Sequence, residues 1–84
     1  MNPPEGSRAI DSIVVSPRSR GVLNVGEGSR EKRHQRYRIV VSATVEEGVK
    51  TEEKLLGSEE HYTVIVEVLN YNDSPAFVYA EATE

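Results

Sequence analysis

The chain reads as a mostly β domain, either a small five-stranded antiparallel barrel of OB-like element order or a small sandwich, on three observations. Val and Ile make up 16 of its 31 hydrophobic residues and Leu only four; β-branched side chains pack well on a pleated sheet and are stiff in helices. Two long segments alternate apolar and polar residues with the period of two that a half-buried strand requires. Clusters of Gly, Pro, Ser and Asn bound the shorter apolar runs, as turns do.

A chain of 84 residues has room for one hydrophobic core, so residues 9–84 are expected to form a single domain behind a loose tail of residues 1–8. The first two strands are expected at residues 10–15 and 22–25, short apolar runs between turn-forming residues. The third, over residues 36–46, is the clearest, because Tyr37, Ile39, Val41, Ala43 and Val45 fall on one face. Residues 51–57 admit two structures. Thr51 as N-cap, Glu52 and Glu53 in a first turn and Gly57 as a stop frame one short helix between strands three and four. Alternatively the chain turns at Glu47-Gly48 and continues from Val49 as an irregular strand. In the fourth strand, residues 62–69, Tyr62, Val64, Val66 and Val68 point one way, and Thr63, Ile65, Glu67 and Leu69 form a half-apolar second face. The fifth strand covers residues 76–82. With the helix present the element order is that of an OB-like barrel; without it a sandwich or open meander fits better.

The absence of cysteine rules out a disulfide framework or a Cys-based zinc site, so packing, sheet hydrogen bonds and self-association must stabilise a thin core. No apolar run approaches the roughly 18 residues of a membrane span, and a membrane partner is not expected. The first eight residues lack the apolar segment of a secretory signal. Cytoplasmic placement is the expectation, although a cysteine-free chain is equally compatible with a virion or exported origin.

The net charge of −4 hides a segregation. Residues 1–38 carry eight Arg and Lys against four acids, a net +4, whereas residues 39–84 carry Lys50 and Lys54 against ten acids, a net −8. Five of the cations, Arg30, Lys32, Arg33, Arg36 and Arg38, lie within residues 29–38. Such a cluster suits phosphates or an acidic partner, and Tyr37 beside it offers a base-stacking ring. Tyr37 nevertheless alternates with Ile39 and Val41 and is expected to face the core.

Three acidic pairs, Glu46-Glu47, Glu52-Glu53 and Glu59-Glu60, flank the middle of the chain, but their spacing matches no cation-binding loop, and a solvated acidic face is expected. His34 and His61 are the only histidines. A zinc site would need carboxylates brought in by the fold, and no nucleophile-elbow pattern accompanies Ser12, Ser16 or Ser42. Neither enzyme activity nor a cofactor is therefore expected. Gly26-Glu27-Gly28-Ser29 lacks the helix that a phosphate loop needs behind it and reads as a plain turn. Asn70-Tyr71-Asn72-Asp73-Ser74-Pro75 contains the glycosylation sequon Asn72-Asp73-Ser74 but reads as the turn joining the last two strands.

Residues 57–78, with Tyr62-Thr63-Val64-Ile65-Val66-Glu67-Val68-Leu69-Asn70 followed by Asp73-Ser74-Pro75-Ala76, resemble part of the Ig-like adhesion repeats of the CARDB type, over about a quarter of the chain. Ala76-Phe77-Val78-Tyr79-Ala80-Glu81 resembles the last strand of the RNA-binding TRAM domain, whose Gly-rich middle is missing here. The two resemblances imply different folds. From the residues themselves, the expected role is a non-catalytic protein-interaction or assembly module, with a protein partner or a second copy meeting opposite charges. The alternative is an OB-like domain binding single-stranded nucleic acid through Arg30, Lys32, Arg33, Arg36 and Arg38.

Overall fold

The computed structural model describes residues 8–83. They form six strands: β1 (Arg8–Val15), β2 (Ser19–Gly28), β3 (Tyr37–Val41), β4 (Val49–Gly57), β5 (Tyr62–Asn70) and β6 (Ala76–Ala82). The tail expected over residues 1–8 lies outside the described residues except for Arg8, which begins β1. The strands build two antiparallel three-stranded sheets, in the orders β1-β6-β3 and β2-β5-β4. There are thus six strands rather than five, and the sheets do not close into a barrel.

The inner faces follow from alternation. Val64, Val66 and Val68 of β5 are buried, as are Leu23 and Val25 of β2; from the other sheet come Val15 of β1 and Ala76, Val78 and Ala80 of β6. These residues form one core between the two sheets, and small alanines on central strand β6 leave room for the larger valines of β5. Tyr37, Ile39 and Val41 pack against this core half-buried, as the alternation of β3 requires. The outward residues of β5, Thr63, Ile65, Glu67 and Leu69, are half-covered.

Only β4 and β5 are joined by a hairpin within one sheet; every other connection carries the chain from one sheet to the other. β3 therefore ends at Val41, short of the expected residue 46. The chain turns at residues 42–45, where Val45 N–H donates to Ser42 C=O at 3.1 Å, and a single 3-10 turn at Glu46–Gly48 delivers it to the second sheet. The helix expected over residues 51–57 is replaced by β4, which pairs with β5 along its whole length. A seven-residue helix does not reach the length at which a helix nucleus is repaid, whereas the strand satisfies the backbone edge that β5 would otherwise leave open. The alternative of an extended chain from Val49 holds, but β3 and β4 form no hairpin.

β2 is also longer than expected. It follows β5 from Asn70 to Tyr62, with a bulge between Asn24 and Gly26 at which Gly26 adopts φ +137°, a conformation that suits glycine. Asp11, beside the corresponding irregularity of β1, accepts a hydrogen bond from Asn24 N–H at 2.9 Å and so ties the two sheets together. Residues 26–28, expected to be a plain turn, belong to this strand.

One end of the molecule is organised by Asn70, which is 1% exposed. Its Nδ2 donates to Val15 C=O (3.1 Å), Ser16 C=O (3.2 Å) and Ser74 C=O (2.9 Å). Its Oδ1 accepts from Asn72 N–H (3.0 Å) and Asn72 Nδ2 (2.9 Å). Asn72 Nδ2 also donates to Val45 C=O at 2.9 Å. Two amides thus hold the β1–β2 corner, the β3–β4 connection and the β5–β6 turn, and the side chain of the sequon asparagine is engaged in this network.

Candidate functional site

The segregated charges meet inside the chain. Because β1, β2 and β3 pair with β6 and β5, cations of the N-terminal half face acids of the C-terminal half. Arg18 pairs with Asp73 at 2.8 Å, Arg20 with Glu67 at 3.6 Å, Arg30 with Glu59 and with Glu60 (3.8 Å), and Arg38 with Glu81. Most of these pairs are solvent-exposed and worth little individually. The Arg38 pair differs, since Glu81 is 1% exposed and its Oε2 has no hydrogen-bond partner among the described residues.

The five cations of the basic segment are therefore divided. Arg30 is turned onto the β4–β5 hairpin, where its N–H also donates to Glu59 C=O at 2.7 Å. Lys32 closes a turn through its backbone, its C=O accepting from Ser29 N–H at 2.7 Å. Arg38 lies across from Glu81 on the outer face of the first sheet. Lys32, Arg33 and Arg36 are exposed on the β2–β3 loop, with no ion pair among the described residues. Arg33 and Arg30 line a groove of about 440 Å³ with Ser29, Leu55, Gly57, Ser58, Glu59 and Tyr62. Acidic Glu59 in that lining opposes phosphate binding.

Both histidine rings have partners: His34 Nδ1 lies 3.3 Å from the Tyr62 hydroxyl and His61 Nε2 2.9 Å from Glu27 Oε1. Among the described residues no three His, Asp or Glu side chains converge to hold a metal. The acidic pairs are dispersed, with Glu46 and Glu47 in the 3-10 turn, Glu52 and Glu53 along β4, and Glu59 and Glu60 at the hairpin.

Alternation alone did not reveal the edge of the second sheet. β1 lies along β2, so the sheets close on that side. On the other side β3 and β4 are sheet edges that are not packed together in this way. The Tyr37 hydroxyl, donating to Glu53, bridges them. Desolvation, reinforced by the hydrogen bond to Glu53 and by its charge, raises the pKa of this phenol well above the ordinary tyrosine value. Eight of the nine β4 residues are exposed, including Leu55 at 54% and Leu56 at 52%. Among the described residues β4 is paired on one side only, so two adjacent exposed leucines on a nine-residue strand present unpaired backbone groups and apolar surface together. The sequence signal was the pair Leu55-Leu56 in an otherwise charged run, hidden by the helical alternative. No family model, curated protein or solved structure matches the chain.

Proposed function

We propose that this domain is a non-catalytic protein-interaction and assembly module that receives an extended strand on the free edge of β4. The observation that carries it is β4 itself: nine residues hydrogen-bonded to β5 on one side, with Leu55 and Leu56 exposed. Strand addition uses just such an edge, drawing affinity from main-chain hydrogen bonds and specificity from alternate side chains. Arg18, Arg20, Arg30 and Arg38 already meet acids of the other half within the chain, so the edge, and not attraction between basic and acidic halves, is the basis of the proposal.

Sedimentation velocity over about 10 µM to 1 mM, for the native chain and for Leu55→Lys/Leu56→Lys, tests it. Concentration-dependent association that the double variant abolishes is expected; a monomer throughout the range speaks against assembly. The alternative is single-stranded nucleic-acid binding, favoured by Lys32, Arg33 and Arg36, which are exposed and have no ion pair among the described residues. It predicts salt-dependent anisotropy changes with mixed-sequence RNA or DNA that disappear on neutralising Arg33 and Arg36. With no barrel to present bases and with Glu59 beside the loop, it has less support.

A further inference from the structure

We propose that the occupant of the β4 edge is β4 of a second copy, paired antiparallel about a two-fold axis through Glu53; this rests on the assembly role proposed above. An antiparallel two-fold pairing that keeps both sheets facing the same way must place some residue opposite itself. Glu53 is the midpoint of Val49–Gly57, so this register alone uses the whole strand, matching Val49 with Gly57 of the second copy.

In that register the outward side chains complement one another. Glu52 lies opposite Lys54 of the second copy and Lys54 opposite its Glu52, two oppositely charged cross-strand pairs. Within one copy Glu52 is opposite Glu67. Glu67 already draws on Arg20 and Lys54, while Glu52 has no ion pair among the described residues. The second copy's Lys54, 3.5 Å from its own Glu67, is brought opposite Glu52 and is shared between the two carboxylates. The exposed leucines are also covered: Leu56 lies against the methylene stem of Lys50 and Leu55 against the methyl of Thr51. Centring the pairing on Glu52 instead would set Lys50 against Lys54, and centring it on Lys54 would place that lysine against itself. The cost of the chosen register is Glu53 opposite Glu53 at the axis.

The experiment is sedimentation equilibrium on the native chain, Glu52→Lys, Lys54→Glu, the double variant, and an equimolar mixture of the two single variants, with circular dichroism to verify folding. Each single variant turns both cross-strand pairs into like charges and is expected to weaken self-association by about tenfold or more. The double variant, whose net charge is that of the native chain, restores it, and the two single variants associate with each other. Glu53→Gln tightens the native association by about threefold. Failure of the double variant to recover overturns the register, as does native association insensitive to both single variants; either result leaves assembly by another surface standing. A native chain that stays monomeric to about 1 mM overturns both the register and the assembly role.

Discussion

Truncating Asn70 to alanine removes the amide that joins the β1–β2 corner to the β5–β6 turn and holds Asn72, whose own amide reaches the β3–β4 connection. Nδ2 faces the carbonyls of Val15, Ser16 and Ser74, and Oδ1 receives both the N–H and the Nδ2 of Asn72. An amide has two donor hydrogens and two acceptor lone pairs, so about four hydrogen bonds are lost. A buried group left unpaired costs about 1–3 kcal/mol. Val15 is 2% exposed, so its carbonyl is the group least able to recruit water. Partial hydration of the other partners brings the expected loss to roughly 3 kcal/mol, a large share of the roughly 4–13 kcal/mol expected for a domain of this size. The melting temperature should fall by roughly 12–24 °C. Urea denaturation with an unchanged m-value, alongside thermal melts, measures it. Asn70→Asp keeps Oδ1 but turns an anion toward three carbonyls, so at neutral pH it should be at least as damaging, with partial recovery on acidification. A loss below about 1 kcal/mol for Asn70→Ala would refute the role of this amide as the organiser of that end.

Three further outcomes are expected. Gly48→Ala drives a Cβ into the Asn72 side chain and should cost about 1–3 kcal/mol; combined with Asn72→Ala the losses should be clearly less than additive, read by urea denaturation. Arg38→Ala leaves the Glu81 carboxylate buried without its cation and should cost about 1–3 kcal/mol after allowing for the exposure of the arginine. Arg18→Ala, at an exposed pair, should cost less than about 0.5 kcal/mol apart from backbone effects, and Arg38→Met/Glu81→Leu should recover most of the first loss. In ultraviolet titration one tyrosine should ionise late, and Tyr37→Phe should remove that component. Since the folded-state pKa of Tyr37 is raised, its contribution to stability is fully present below the unfolded value near 10 and lost as pH rises beyond it.

The parts of the fold legible in the sequence are those whose burial alternates. β5 and β6 lie within a residue of where the pattern places them, because as central strands they present one continuous face to the core. β4 was ambiguous because eight of its nine residues are exposed. Its conformation is imposed by the open edge of β5, a partner distant in the pattern though adjacent in the chain. The basic segment was legible as a cluster, but its meaning depended on which strands pair: the topology sets Arg30 against Glu59 and Arg38 against Glu81, which no local window contains. The amides of Asn70 and Asn72 likewise read as turn residues, and only the convergence of three connections makes them the buried polar hub.

Hydrogen exchange read by mass spectrometry at low and high protein concentration tests the central claim most directly, because strand addition must protect the amides of the edge that receives it. The β4 edge as the assembly surface predicts that peptides covering Val49–Gly57 gain protection as concentration rises while those covering the β2–β3 loop do not. Protection of β4 that is independent of concentration, with a concentration-dependent change elsewhere, would contradict it.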